Sequence, residues 1–85
     1  MSAEGIDIRI GNEIRAERYR QNLKWGGHEH DDEHSIQEWF HWIIERAYQY
    51  EPKIARKNLV QIAALAIAAL ESMDRKEKAK CLVQK

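Results

Sequence analysis

The middle of the chain carries an apolar stripe at helical spacing. Its members are Ile36, Trp39, Phe40, Ile43, Ile44 and Ala47. This spacing is typical of an amphipathic helix with one buried face. Ser35 and Glu38 form a capping-box sequence at its start, and Pro52 excludes helical geometry from the residue before it. The pattern therefore predicts a helix that opens at Ser35 and ends before Pro52.

A second segment, LVQIAALAIAAL, is apolar on every side of a helix, with Gln61 as its one polar residue. We predict a helix from about Lys53 to Lys78. A helix that is apolar all round must be covered all round, which two other helices of one 85-residue chain can hardly do. We therefore expect a homodimer or higher oligomer with this helix at its centre. A monomer with a loose three-helix core is the alternative. Gln61 needs a hydrogen-bond partner or a ligand.

The N-terminal third predicts one more helix, from about Asn12 to Lys24, because the two glycines of KWGG are a helix stop. The preceding GIDIRI alternates apolar and polar residues, which favours an extended arm over residues 1–11. Residues 77–85 are mixed in charge and are expected to fray. The chain is thus predicted to be a single all-α domain over residues 1–85, in which three helices form an oligomeric helical bundle.

Composition excludes several classes of partner. Lys+Arg and Asp+Glu are both 14, so the chain lacks the basic surplus of a nucleic-acid coat protein, and no direct nucleic-acid binding is expected. The single cysteine, Cys81, fits a reducing compartment and is expected to be inert. No signal-peptide pattern is visible, and the apolar run 59–70 is too short for a bilayer. These features predict a cytoplasmic protein without a membrane partner.

Histidines and acids are concentrated in the segment GGHEHDDEHS. Imidazole and carboxylate are ligands of zinc and other transition metals, although this spacing is not diagnostic. A helical HxxxH pair would need two of these histidines on one helical face, whereas they precede the helix cap and are expected in irregular chain. The candidate metal ligands of the segment are His28, His30, His34, Asp31 and Asp32.

The same segment has a structural interpretation. Asp31 and Asp32 lie just before a helix N-terminus, where the helix dipole favours negative charge by about 0.3–1 kcal/mol. His34 stands before the cap and is placed to pack on Trp39 as an apolar staple. On this interpretation the segment only anchors the helix, and Trp39 belongs to the core.

A third interpretation is a nucleotide site. Arg15 and Arg18 are one helical turn apart, so both guanidinium groups could face one phosphate. Aromatic rings stack on bases, and carboxylates accept hydrogen bonds from ribose or a base amine. A solvated arginine face paired with Glu13 and Glu17 is the alternative. The predicted ligand-binding residues are Arg15, Arg18, Tyr19, Trp25, His28, His30 and Asp32.

Three stretches together resemble small MazG-like proteins of bacteriophage and bacterial genomes. These are EIRAERYRQNLKWGG, HDDEHSIQEWFHWIIERA and ARKNLVQIAALAIAALESMDRK, and the resemblance covers about residues 13–76. It implies an all-α fold of intertwined helical hairpins, usually dimeric or tetrameric. It also implies relatives that bind Mg²⁺ through an ExxE pair and an ExxD pair and split nucleoside triphosphates into monophosphate and pyrophosphate.

The chain departs from this family pattern at the acids. The first pair falls at Glu45 and Tyr48 and the second at Asn58 and Gln61, so that only Glu45 is an acid. Mg²⁺ prefers anionic oxygen ligands, and two-metal chemistry needs several of them. The departure therefore predicts a protein that has lost hydrolysis.

Three functions follow. The first is a non-catalytic, phage-type protein that binds or sequesters a nucleotide or nucleotide-derived ligand, including cyclic defence signals. The second is a divergent metal-dependent nucleoside triphosphate pyrophosphohydrolase, with Mg²⁺ held by Glu38, Glu45, Glu71 and Asp74 or by the acids of the GGHEHDDEHS segment. Glu71 and Asp74 otherwise form a solvated helix end. The third is a protein–protein interaction module with exposed tryptophans. Glu45 and His34 are the candidate metal ligands.

Overall fold

The computed structural model describes residues 5–83, and the side chains of residues 5–80. All regular structure in this range is helical, which confirms the predicted all-α class. The elements are α1 (Ile8–Trp25), α2 (Gly27–Asp31), α3 (Ile36–Tyr48), a 3₁₀ turn (Pro52–Ile54) and α4 (Ala55–Val83).

Helix α1 begins earlier than the sequence pattern predicts. The side chain of Asp7 accepts hydrogen bonds from the backbone amides of Arg9 (2.8 Å) and Ile10 (3.3 Å), and so caps the helix. The predicted extended arm is therefore wrong for residues 8–11, while residues 1–4 lie outside the described part. The predicted stop is confirmed, because Gly26 follows α1 in the left-handed conformation (φ 111°) that glycine adopts without strain.

The predicted start of α3 is confirmed in detail. The Ser35 hydroxyl accepts from the Glu38 amide (3.2 Å), and the Glu38 carboxylate accepts from the Ser35 amide (2.8 Å). Between α1 and α3, however, Gly27–Asp31 form the short helix α2, whereas residues 32–34 are irregular as predicted. The short helix and the turn after it together set the positions of the histidines and acids.

Helix α4 is the longest element and continues to Val83. Residues 77–83, which were expected to fray, extend this helix, because nothing between Lys78 and Val83 breaks helical geometry. The side chain of Cys81 and residues 84–85 lie outside the described part, so the expectation of an inert thiol stays a prediction.

Helices α1 and α3 both pack against α4, but across residues 5–83 no backbone contact joins α1 to α3. The buried face of α4 consists of small or polar side chains at helical spacing: Gln61, Ala64, Ala68 and Ser72. Alanine at the centre of this face lets two helices lie close to α4. A groove between α1 and α3 follows from this arrangement.

The predicted apolar stripe of α3 is only partly buried. Trp39 is 4% exposed, whereas Phe40 is 61% exposed and Ile36 and Ile44 are also exposed. The reason is the rotation of α3, which turns Trp39 and the polar face next to it toward the groove. Leu59 of α4 is also open to solvent. No helix in the described part of the chain has the length and apolar content to cross a membrane.

Candidate functional site

The groove between α1 and α3 contains a cleft of about 430 Å³, and Leu65 and Ala68 of α4 contribute to its lining. Sites for small molecules occupy roughly 300–1,000 Å³ and combine apolar walls with a few polar groups. This cleft has both kinds of surface, since it is lined by tryptophans and histidines as well as by arginine and acidic side chains. Its volume and composition therefore suit a small organic ligand.

One side of the cleft is a chain of aromatic contacts. The ring of Trp25 stacks on His30, with centroids 6.3 Å apart and planes 15° apart. His30 meets His34 edge to face at 4.6 Å, and His34 meets Trp42 in the same way at 4.6 Å. Trp42 packs at 90° to the buried Trp39. Because Trp25 is 51% exposed, it can contact a ligand without unpacking the core.

Arg18 is the cation on the α1 side of the cleft. Its guanidinium donates to Glu71 Oε1 (2.7 Å) and Asn22 Oδ1 (3.2 Å), and it lies 4.0 Å from Asp31 Oδ2. The sequence suggested a solvated helix end at Glu71. In the structure, Glu71 is instead paired with Arg18 of α1. Asp31 Oδ2 is buried and accepts no hydrogen bond. Arg18 therefore links α1 to α4 and also presents charge to the cleft.

Arg46 is the cation on the α3 side. Its Nη1 donates to the Oε1 of Gln61 at 2.8 Å, and Gln61 is buried. This bond supplies the partner that the amide in the apolar helix needs. Arginine has five N–H donors, so a single bond to a neutral amide leaves Arg46 with donor capacity beside the cleft.

The structure divides the predicted ligand-binding residues between two places. Arg18, Trp25 and His30 line the cleft, together with the candidate metal ligands His34 and Glu45. A second, shallower hollow is lined by a different part of α1 and by Arg18 as well. The remaining predicted residues that line this hollow are Arg15, Tyr19 and His28.

Arg15 and Arg18 both line the second hollow, and a shared phosphate contact between them stays a prediction. Arg15 donates to Asn12 Oδ1 (3.0 Å) at the exposed surface, whereas the Arg18 side chain is largely buried and points toward Glu71. The two residues are one helical turn apart, but their guanidinium groups bond to different partners, Asn12 for Arg15 and Glu71 for Arg18. Arg46, which the sequence analysis did not select, is the second arginine of the cleft.

Asp32 joins the α2–α3 connection to α4 instead of facing the cleft. Its carboxylate accepts from Arg75 Nη2 (2.7 Å), Arg75 Nε (3.1 Å) and Ser72 Oγ (2.8 Å). Asp32 does not line the cleft, and its role as a ligand contact stays a prediction. Lys76 Nζ adds a bond of 2.8 Å to the His34 carbonyl oxygen. These contacts fix the segment that carries the cleft histidines.

The Asp32–Arg75 pair should make the free energy of unfolding depend on pH in the acid range. Hydrogen bonds from Arg75 lower the pKa of Asp32 from 3.8 to about 2. Ionised Asp32 thus stabilises the fold above pH 3.8, and this stabilisation is lost as the pH falls toward 2. Because the pair is partly exposed, Asp32→Asn should cost only about 1–2 kcal/mol at neutral pH.

Urea unfolding at neutral pH and at about pH 2 measures this effect. The variant and the wild-type chain should differ at neutral pH and converge at the acid value. Glu33→Gln is the matched control, since Glu33 is an exposed neighbouring acid. Equal stability of Asp32→Asn and wild type at neutral pH would contradict the role of the pair.

Two cleft residues escaped the sequence analysis, namely Trp42 and Arg46. Both belong to a face of α3 at spacing i, i+3, i+4 and i+7 that also contains Glu45 and Gln49, and all four line the cleft. The signal was therefore present as a mixed aromatic and polar face beside the apolar stripe. The apolar stripe alone does not indicate that this second face of α3 also points inward.

The positions that would hold Mg²⁺ in the MazG-like pattern have other partners. Glu45 lies 3.5 Å from His41 Nε2, and Tyr48 is 87% exposed. Asn58 Nδ2 donates to the Gln49 carbonyl oxygen at 3.2 Å. Among the residues that the structure describes, no three His, Cys, Asp or Glu side chains are grouped so as to hold a metal ion.

Comparison with known protein families, with curated proteins and with solved structures gave no match to this chain. The MazG-like resemblance therefore stays an expectation from the sequence motifs. The cleft and the chemistry of the side chains that line it are the features from which a function can be proposed.

Proposed function

We propose that this chain binds a nucleotide or nucleotide-derived small molecule in the cleft between α1 and α3, without hydrolysing it. The observation that carries the proposal is the presence of stacked aromatic rings and two arginines in one cleft of about 430 Å³. In the phage setting that the sequence resemblance implies, such a protein would sequester its ligand, including cyclic nucleotides used in defence signalling.

The cleft offers a separate contact for each part of a nucleotide. A base can stack on Trp25 or Trp42, which is worth about 1–3 kcal/mol per base in proteins that use such stacking. Arg46 has donors for a phosphate group, and Arg18 adds positive charge from the opposite side. Glu45 can accept from a ribose hydroxyl or a base amine. The two walls thus contact a single bound molecule together.

Binding without turnover is supported by the residues at the family's acid positions. Asn58 and Gln61 are neutral, and both are engaged in hydrogen bonds to α3 or its C-terminal end. Glu45 is the one carboxylate at those four positions. A hydrolase of this kind needs several anionic oxygen ligands for its metal ions. The divergent pyrophosphohydrolase is therefore the less favoured alternative.

The functional form we propose is a homodimer or higher oligomer. Ile36, Phe40 and Ile44 form an exposed apolar line along α3, and Leu59 and Leu70 are exposed on α4. The largest apolar patches of soluble monomers are usually functional, and interface cores are enriched in aromatic residues. A second copy of the chain would cover these residues while the cleft stays accessible between α1 and α3.

Calorimetric titration with a panel of nucleoside mono-, di- and triphosphates and cyclic nucleotides tests the ligand proposal. We expect binding of at least one member, and an affinity about tenfold lower for Trp25→Ala because a stacking surface is lost. Tyr50→Ala is the control, since Tyr50 is also an exposed aromatic residue but does not line the cleft. Chromatography of the titrated sample with Mg²⁺ should return the ligand unchanged.

Two outcomes would contradict the proposal. If no nucleotide of the panel binds, a protein–protein interaction module is the better interpretation of the exposed aromatic residues. If the wild-type chain releases pyrophosphate and Glu45→Gln does not, the pyrophosphohydrolase alternative is favoured instead.

A further inference from the structure

The imidazoles of His30 and His34 converge at the wall of the cleft, with their Nε2 atoms 3.1 Å apart. The sequence predicts irregular chain for both residues, whereas the structure places His30 in α2 and His34 in the turn that follows it. Metal–imidazole nitrogen distances are about 2.0–2.1 Å, so two nitrogens on one ion at right or tetrahedral angles lie about 2.8–3.4 Å apart. The observed separation of 3.1 Å falls within this range.

The other side of the His34 ring is held as it is in metal-binding histidines. Its Nδ1 lies 3.5 Å from Glu38 Oε1, and Glu38 is itself fixed by the Ser35 amide at 2.8 Å. A carboxylate at the second nitrogen orients a metal-bound imidazole and strengthens it as a ligand. The His30 ring is oriented by its stacking on Trp25. Each ring of the pair is therefore also held by a contact outside the pair.

A buried carboxylate in the same cleft is a separate observation. The Asp31 side chain is 9% exposed, and its Oδ2 accepts no hydrogen bond. Its nearest charged partner is Arg18, at the long distance of 4.0 Å. A buried carboxylate oxygen without a hydrogen bond is costly, so a cation beside it would lower the free energy of the folded state.

We propose that His30 and His34 chelate a divalent transition-metal ion of the zinc, cobalt or nickel class through their Nε2 atoms. Imidazole nitrogen selects these ions over Mg²⁺. Because no third His, Cys, Asp or Glu in residues 5–80 completes the set, water or an anionic ligand in the cleft fills the other coordination positions. In the metal-free chain one Nε2–H donates to the other ring; on binding, that ring carries its proton on Nδ1 instead.

Titration with Co²⁺ or Zn²⁺ alone, without any nucleotide, tests this site. We expect one ion per chain, with affinity reduced about tenfold or more in His30→Asn and in His34→Asn. His41→Asn is the matched control, because His41 is an exposed histidine that also has a glutamate one turn away. Unchanged binding in the two cleft variants, or loss of binding in His41→Asn, would overturn the proposal.

A fourth variant separates the role of Glu38 in orienting His34 from its role in the helix cap. Glu38→Gln keeps a side chain that can bond to the Ser35 amide, as glutamine also does in capping boxes, but removes the carboxylate beside His34. We expect a severalfold loss of metal affinity with unchanged helix content by circular dichroism. Full retention of affinity would contradict the orienting role of this carboxylate.

A nuclear magnetic resonance measurement on the wild-type chain tests the site without depending on the folding of any variant. Zn²⁺ is diamagnetic, so its largest effect is on the proton resonances of the imidazoles that bind it, and the chain has four histidines. The ring signals of His30 and His34 should shift together, and those of His28 and His41 should change much less. Shifts at His28 or His41 alone, or no shift at millimolar Zn²⁺, would refute the site.

Discussion

The double variant Phe40→Asp, Ile44→Asp is expected to be a monomer of 10.0 kDa under conditions in which the wild-type chain is a dimer or larger. Both residues are exposed on one line of α3, so their replacement removes nothing from the core of the single chain. In an apolar interface, however, two carboxylates would be desolvated without partners, which is unfavourable by several kcal/mol. Native mass spectrometry measures the number of subunits directly.

The matched control for this variant is His41→Asp, Tyr48→Asp. It also places two aspartates at exposed positions of α3, but about a quarter turn around the helix from the apolar line. We expect it to keep the wild-type subunit number. A wild-type chain that is monomeric at micromolar concentration would contradict the proposed assembly, and the exposed apolar residues would then need another partner.

Replacement of Trp39 by alanine should have the largest effect on folding. Trp39 is the most buried large apolar side chain among those that the structure describes, and it contacts Trp42 and His34 edge to face. Loss of a buried tryptophan costs about 3–5 kcal/mol, which is comparable to the whole stability of a small domain. We expect Trp39→Ala to be largely unfolded at 25 °C, as measured by far-ultraviolet circular dichroism in a urea titration.

Tyr48→Ala is the control for Trp39→Ala, because Tyr48 is an aromatic residue of the same helix that is 87% exposed. Its loss should change the free energy of unfolding by no more than about 0.5 kcal/mol. Both titrations need the same protein concentration, since association adds to the apparent stability. A cost below about 1 kcal/mol for Trp39→Ala would show that other contacts hold α3 on α4.

The sequence predicted those features that depend on neighbouring residues. The Ser35–Glu38 capping box, the glycine stop after α1 and the need of Gln61 for a partner are all present in the structure. Each follows from chemistry within one helical turn or from the burial of a single polar group. The start of α1 also depends on neighbouring residues: Asp7 caps the helix, so that the residues after it are helical and not extended as predicted.

The site could be predicted only in part, because its geometry depends on contacts between distant segments. Asp32 and Arg75 are 43 residues apart, and nothing local indicates that this acid bonds to α4 instead of a ligand. Arg46 lines the cleft because of the rotation of α3 on α4. The apolar stripe does not indicate this rotation. Trp25 and His30, beside the glycine stop, both line the cleft, and their role as ligand contacts stays a prediction.

The floor of the cleft has a consequence for how ligand preference can change. At Ala68 a single methyl group separates the space between α1 and α3 from the backbone of α4. A larger side chain there would shorten the space from below and leave the aromatic and arginine walls as they are. Relatives that differ at this one position could therefore accept molecules of different length with the same recognition groups.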